Sequence, residues 1–176
     1  MIQKKRRVVV TGIGLISPLG LDPDSFWTNL MAEKSGVGPI TLFDTAGFPT
    51  RIAAEVKGFD PLRYIEKKKS LKVMIRDMQF AVAAAREAAD DAGLMDARFD
   101  PERLGVVFGA SMISTDPCEL APAIAASRSG HGQFDLVKFG TDGIPHLFPL
   151  WLLKQLPNML ASHVAIMLNA QGPSNP

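Results

Sequence analysis

Two short apolar runs that end in glycine constrain the fold of this chain more than any other feature. Residues 7–11 read RVVVT before Gly12, and residues 104–108 read LGVVF before Gly109. Continuous runs rich in β-branched residues are typical of strands buried on both faces, as in parallel sheets. Helical patterns separate the two runs, and strand–helix–strand order implies parallel crossovers. The sequence therefore predicts a layered α/β domain over residues 1–176, with too few strands for a complete sheet.

The first two helices are predicted from their end signals and their apolar spacing. Asp22-Pro23 begins one helix, because Asp caps free N–H groups and Pro fits the first helical position. Its apolar face ends before Ser35-Gly36. The clearest helix spans Ser70–Ala92, where small and apolar residues recur at spacings of three and four. Gly93 follows it and is predicted to terminate it.

Two later helices and two connecting segments complete the predicted order. Asp116-Pro117 begins a helix, with Glu119 placed to complete a capping box. Asn158 is predicted to cap the last helix, directly after a break at Pro157. Residues 37–66 mix turn and short-strand signals and are predicted to be a surface excursion. Residues 127–143 are polar and glycine-rich and are predicted to be a mobile loop.

Composition narrows the classes of function. A net charge of +1 gives no general attraction for nucleic acid or an anionic membrane. The single cysteine, Cys118, excludes an internal disulfide and a cysteine-based metal cluster, and the three histidines lack ligand spacing. The basic residues 4–7 and the apolar run behind them imitate a signal peptide, but glycines interrupt that run and favour a buried strand. We therefore expect a cytoplasmic protein with no metal, nucleic-acid or membrane partner.

Four local features have a functional and a structural interpretation. Residues 12–17 read GIGLIS, which resembles part of a dinucleotide-binding motif, yet the next helix begins too late and a tight turn is favoured. Cys118 lies near a helix N-terminus, which favours thiolate, but no base is evident beside it. His163 lies among apolar residues, so packing or a structural hydrogen bond is favoured over base catalysis. Residues 67–72 carry four lysines, which form either a solvated face or a docking patch for an acidic partner.

Five fragments, in this order, resemble the β-ketoacyl-acyl-carrier-protein synthases, the condensing enzymes of fatty acid and polyketide assembly. The fragments are VVVTGIGLISPLG at 8–20, SGVGPITLFDTAGFPTRIAAEV at 35–56, LKVMIRDMQFAVAAAREAADDAGL at 71–94, LGVVFGAS at 104–111 and PNMLASHVAIMLNAQGPS at 157–174. The resemblance implies a thiolase-like fold, in which two βαβαβαββ halves pack in five layers. This chain corresponds to most of the N-terminal half. The catalytic cysteine, two histidines and lysine of the family are expected beyond Pro176, and Cys118 does not match the nucleophile.

The resemblance also implies roles for residues inside the chain. Lys68, Lys69 and Lys72 match basic residues that dock the acidic acyl carrier protein. Three residues match positions that line the acyl pocket of the family: Met112, Leu147 and Phe148. Four others match positions that support the active site: His163, Gly172, Pro173 and Ser174. Leu147 and Phe148 are expected to act across the interface of a homodimer or heterodimer. No cofactor is expected, because phosphopantetheine arrives on the carrier protein.

Two departures from the family pattern leave alternatives open. Residues 111–114 read SMIS where many members are glycine-rich, which predicts a bulkier gate to the acyl pocket. Residues 151–154 read WLLK and differ from common housekeeping members, which suggests a specialised paralogue. A non-catalytic chain-length partner subunit is therefore an alternative to an active synthase. An inactive truncated product, with exposed apolar faces, is another.

Overall fold

The computed structural model describes residues 7–110 and 115–175, and helices and short turns dominate it. The helices are α1 (Pro23–Met31), α2 (Arg76–Asp91), α3 (Pro117–Ala126), α4 (Leu136–Lys138) and α5 (Asn158–Leu168). The strands are β1 (Val37–Pro39), β2 (Ile52–Ala54), β3 (Val106–Val107) and β4 (Ser174–Asn175). Single 3₁₀ turns lie at Pro61–Arg63, Lys68–Val73, Pro101–Arg103, Ile144–His146 and Trp151–Gln155, and a π-type turn spans Phe139–Gly143.

The main core lies where α2 packs against α5. Met78 and Val82 of α2 are buried in one cluster with Leu160 and Val164 of α5. The small residues predicted to form a smooth face on α2 explain this packing, since alanines let two helices approach closely. The apolar periodicity therefore identified the correct face, and burial of these side chains supplies the main hydrophobic stabilisation of the domain.

The start of α2 differs from the prediction, whereas its end agrees. Gly93 adopts a left-handed backbone with φ of 64°, which terminates the helix as expected. However, Lys68–Val73 forms a 3₁₀ turn, and α2 begins only at Arg76. Met74 breaks the pattern because its backbone is extended. The lysines therefore do not lie at the N-terminus of α2, where cations would oppose the helix dipole.

A parallel strand pair carries the expected α/β topology. β3 and β4 pair in parallel, with Val106 opposite Ser174 and Val107 opposite Asn175. β1 and β2 form a separate antiparallel pair within residues 37–66. Above them, the nearly buried Glu55 carboxylate accepts hydrogen bonds from Thr41, which lower the pKa of that carboxyl. The predicted parallel sheet is present in part.

The predicted strand over residues 7–11 is wrong in the described chain. Val8, Val9 and Val10 are 95%, 65% and 82% exposed and pair with no other described strand. A strand buried on both faces needs neighbours in the sheet and a layer on each side, and the described residues supply neither here. The segment that follows instead lies directly on α2, where the helix backbone leaves no room for a side chain at Gly12. The tight turn predicted over residues 12–17 is wrong in its position, because the turn lies at Pro18-Leu19, between the bridged residues Ser17 and Gly20.

Residues 127–143 are not a loop throughout. Ser127 is fully buried and donates its hydroxyl to the carbonyl of Ala123. Arg128 and Phe134 form an isolated antiparallel bridge around a short turn. α4 and the π-type turn then occupy most of the remaining segment, and Asp135 caps α4 by accepting from Val137 N–H at 2.8 Å. The polar composition of this segment favours a loop, and the sequence pattern does not show these local hydrogen bonds.

Helix capping follows the prediction at the starts of α1 and α3. Asp22 accepts from the backbone N–H of Ser25 at 2.7 Å, and Asp116 accepts from that of Cys118 at 2.8 Å. α1 nevertheless ends early, at Met31, instead of continuing to Ser35-Gly36. Glu33 adopts a left-handed backbone with φ of 54° just after it.

Two other capping predictions are wrong. Asn158 is the first residue of α5 rather than its cap, and the preceding residue, Pro157, provides no side-chain cap. Glu119 does not complete a capping box, because its carboxylate pairs with Lys154 instead. The predicted cap of α5 is thus displaced by one residue, whereas Glu119 is at the predicted position but makes a tertiary contact instead.

Candidate functional site

One open cavity brings together a predicted docking lysine and a predicted acyl-pocket residue. Its volume is about 510 Å³, and Lys72 and Phe148 both line it. The remaining lining residues are Cys118, Glu119, Pro122, His146 and Lys154. The arrangement arises because the 3₁₀ turn Lys68–Val73 packs against the 3₁₀ turn Trp151–Gln155.

Lys154 lines this cavity and contacts two of its other lining residues. Its side chain is only 12% exposed, and its ammonium forms an ion pair with the Glu119 carboxylate. The same ammonium lies 5.7 Å from the centroid of the Phe148 ring, within the range of a cation–π interaction. The hydroxyl of Thr115 also donates to Oε1 of Gln155 at 2.7 Å. These contacts join residues 148–155 to the beginning of α3.

The lysine patch is fully available to solvent. Lys67, Lys68, Lys69 and Lys72 are all exposed. None of the four forms an ion pair with another residue that the structure describes. Four cations within six residues produce a local positive field that attracts acidic partners, although the net charge of the chain is close to zero.

The turn at Gly172–Ser174 is fixed against the segment that leads into β3. Gly172 N–H donates to the carbonyl of Leu104 at 3.0 Å, and Val106 N–H donates to that of Pro173 at 3.0 Å. The backbones approach so closely that a Cβ on Gly172 would lie 2.7 Å from the Leu104 oxygen. Ser174 then enters β4. This turn can therefore hold the direction of the strand that follows it.

His163 lines a second cavity of about 190 Å³ between α2, α5 and residues 64–70. Burial lowers the pKa of its imidazole below the ordinary value of 6.5, so the neutral form dominates at pH 7. Its Nε2 atom is buried and has no hydrogen-bond partner among the described residues. The sequence favours packing or a structural hydrogen bond for His163. This environment is consistent with packing, and Nε2 makes no hydrogen bond with a described residue.

The remaining predicted site residues lie in different settings. Met112 lies outside the described residues. Leu147 is half-buried, and Phe148 is 41% exposed. Cys118 is exposed in the first turn of α3 and lines the 510 Å³ cavity, away from the Gly172–Ser174 turn in the chain.

The sequence does not predict the Lys154–Glu119 pair, since its pattern places Glu119 in a capping box and Lys154 only in a stretch that differs from the family. The signal that indicates the pair is a single cation in the largely apolar run from Leu147 to Leu156. A charge in such a run needs a partner when the run packs, and the partner is 35 residues away in the chain.

Comparison with solved structures defines the class of protein. The chain superposes on the structure of the ishigamide ketosynthase/chain length factor with a TM-score of 0.73, at 32% identity, covering 98% of this chain and 40% of that one. It also matches a type II polyketide synthase acyl-carrier protein in complex with its ketosynthase, with a TM-score of 0.67 at 19% identity, covering 97% of this chain and 41% of that one. The fold is therefore the thiolase-like fold of ketosynthases, with an incomplete sheet.

The family follows from the sequence. Residues 5–176 match the model of the β-ketoacyl synthase N-terminal domain, and the chain belongs to that family. It is 36% identical to 3-oxoacyl-[acyl-carrier-protein] synthase 2 of Coxiella burnetii over 171 residues, which is 97% of this chain and 38% of the relative. The chain thus spans a little over a third of the length of the curated relatives it matches. Among the described residues, no helix has both the length and the apolar character needed to cross a lipid bilayer.

Proposed function

We propose that this chain supplies the carrier-protein surface, part of the acyl pocket and the approach to the active site of a 3-oxoacyl-[acyl-carrier-protein] synthase. The observation that carries the proposal is the shared cavity: Lys72, a predicted docking residue, and Phe148, a predicted acyl-pocket residue, line the same space in a chain of this family. The carrier-docking surface and the segment that closes the partner subunit's acyl pocket would therefore be neighbours in this chain.

The proposed reaction has two stages. A cysteine thiolate attacks the carbonyl of an acyl-carrier thioester, and the carrier thiol leaves. Malonyl-carrier thioester then loses carbon dioxide, and its carbanion attacks the acyl-cysteine carbonyl, which releases the thiolate and lengthens the chain by two carbons. Covalent catalysis divides a difficult carbon–carbon bond formation into two easier steps.

In this mechanism the described residues bind and orient. The lysine patch attracts the acidic carrier protein, and its effect is reduced by salt. The Gly172–Ser174 turn is held by two backbone hydrogen bonds and sets the direction of the following strand. His163, neutral and half-buried, packs on the helix that precedes the turn. The 176 residues alone are not expected to be active.

The proposed partners are acyl carrier protein and a second, homologous synthase subunit. A solved relative is described as a ketosynthase/chain length factor, and another as a ketosynthase in complex with an acyl-carrier protein, which supports both kinds of partner. The proposal includes a cytoplasmic location in fatty acid or polyketide synthesis. It requires no metal, no resident cofactor, no nucleic acid and no membrane.

A second candidate function is that of a non-catalytic chain-length partner. The observation in its favour is the Lys154–Glu119 pair beside Phe148, which anchors the stretch 151–154 that differs from common members of the family. An inactive truncated product is the third candidate. The exposed Val8, Val10 and Val107 favour it, since such apolar surface predicts poor solubility when these residues are expressed alone.

The test uses the protein purified from its native source, with its intact mass measured first. It is incubated with acyl- and malonyl-carrier proteins, and the products are identified by mass spectrometry. We expect a 3-oxoacyl-carrier product. A protein that copurifies with a homologue, and forms product only through that homologue, would be the chain-length partner. A mass equal to residues 1–176, with no product, would indicate the truncated form.

The docking step is tested by charge reversal. The double variant Lys68→Glu/Lys72→Glu should lower kcat/KM for carrier-bound substrates by about tenfold or more, because both steering and contact are lost. Acyl thioesters of a small thiol should react at an unchanged rate. Lys34→Glu, at another exposed lysine, is the matched control. An equal loss with both substrate types would contradict docking at this patch.

A further inference from the structure

The ion pair between Lys154 and Glu119 is unusual because the lysine is largely buried and because an aromatic ring, that of Phe148, lies beside its ammonium. Lys154 is 12% exposed, although lysine is rarely buried to this extent unless it is paired. Its ammonium contacts one carboxylate and one aromatic ring, that of Phe148, and it joins a 3₁₀ turn to α3. The charge of Lys154 is therefore held in a largely buried ion pair, unlike the charges of the exposed lysines at 67–72.

The geometry restrains Phe148 specifically. Its ring is 41% exposed, so apolar packing alone fixes it only in part. The Lys154 ammonium lies 5.7 Å from the centroid of the ring, and its ion pair with Glu119 holds the ammonium there. Pro149 follows Phe148 and stiffens the backbone at the same point. The position of the ring therefore depends on a residue six positions later and on a carboxylate of another helix.

We propose that Lys154, held by Glu119, is a positioning residue that fixes the Phe148 ring and thereby sets the length of acyl chain that the site accepts. The proposal rests on the proposed function, in which Phe148 closes an acyl pocket. Lys154 acts through the ring and touches no reacting atom. Residues 151–154, which the family comparison left without a role, acquire one: they carry this cation.

The experiment uses the full protein with its carrier proteins and has two independent measurements. Products are separated by chain length, with kcat and KM for each acyl donor. The Phe148 ring is followed by ¹⁹F NMR after incorporation of fluorophenylalanine, and the variant Phe148→Leu identifies its resonance. Lys154→Met should shift that resonance alone and change the preference between short and long acyl donors by about two- to fivefold, the range of one cation–π contact. Lys154→Arg should preserve both.

Two variants control for a loss of folding and for a general loss of charge. Lys154→Met/Glu119→Leu removes both charges, so no carboxylate is left unpaired, and it should fold while keeping the changed preference. Lys138→Met alters another half-buried lysine, on α4, and should leave the preference and the Phe148 resonance unchanged.

Each remaining outcome decides against one part of the proposal. An unmoved Phe148 resonance in Lys154→Met overturns the positioning role. A moved resonance with an unchanged product distribution, in an active enzyme, overturns the role in chain length. Absence of condensation in the unsubstituted protein rejects the proposed function, and the NMR measurement still decides whether Lys154 positions the ring.

Discussion

The backbone N–H of Val106 donates to the carbonyl of Pro173 at 3.0 Å, which ties the first residue of β3 to the turn before β4. The bond begins the parallel ladder, which continues where Phe108 N–H donates to the Asn175 carbonyl at 3.0 Å. The turn and β3 therefore behave as one unit. The direction of β4, which follows the turn, is therefore set by its pairing with β3, a strand from the middle of the chain.

Gly172→Ala should destabilise the protein by about 1–3 kcal/mol, as overpacking against a fixed backbone does. The added Cβ would lie 2.7 Å from the Leu104 oxygen and 2.8 Å from the Glu102 oxygen, and the Leu104 oxygen cannot move away without loss of the hydrogen bond that it accepts from Gly172 N–H. Urea unfolding followed by circular dichroism measures the change. Gly38→Ala is the control, because a Cβ there meets nothing within 4 Å. Equal effects of the two substitutions would contradict a tightly held turn.

Met78→Ala should lower the free energy of unfolding by about 2–5 kcal/mol, since it leaves a cavity between α2 and α5. Met78 has no exposed surface and belongs to the main core cluster. Met31→Ala is the matched control, because Met31 is 66% exposed and should change stability little. Thermal unfolding of the two variants distinguishes them, and similar midpoints would place the core elsewhere.

Asp22→Ala should destabilise the protein by about 0.5–2 kcal/mol through loss of the α1 cap. The hydrogen bonds from Ser25 lower the pKa of the Asp22 carboxyl below its ordinary value of 3.8. A carboxyl with a lowered folded pKa contributes stability that is present above the ordinary value and is lost as pH falls through the folded value. The difference between native protein and Asp22→Ala should therefore shrink below about pH 4. A difference that stays constant from pH 6 to pH 3 would refute the charged cap.

Stability should fall below about pH 6.5 because of His163. Burial lowers the pKa of its imidazole, so the unfolded chain binds a proton at a pH where the folded chain does not. The resulting loss begins at the ordinary pKa and grows until pH reaches the lowered value. His163→Leu should remove this part of the slope and, since Nε2 lacks a described partner, should not reduce stability at pH 7. His131→Leu, at an exposed histidine, should leave the slope intact.

Local signals predicted the parts of the fold that local chemistry determines. Asp22, Asp116 and Gly93 act at helix ends through hydrogen bonds and backbone conformations that involve residues within a few positions. The small apolar face of α2 could be predicted because the spacing of apolar residues indicates which face of a helix packs. The parallel pairing of β3 was expected from its β-branched run.

Features that depend on distant residues could not be predicted in the same way. The strand expected over residues 7–11 needs neighbours that the described chain does not place beside it. The pairing of Lys154 with Glu119 joins two turns 35 residues apart, and no spacing rule connects them. The resemblance to the condensing enzymes indicated Lys72 and Phe148 separately, and the structure was needed to show that they line one cavity.

The pairing of β3 with β4 also determines when the domain can form during synthesis. Val106 and Ser174 are separated by about 70 residues, and α2 and α5 by a similar length, so the core cannot close before α5 has been made, nor the ladder before residue 175. Contacts of this range fold slowly, because a long loop must close before they contribute. The valines at positions 8–10 therefore leave the ribosome long before that closure.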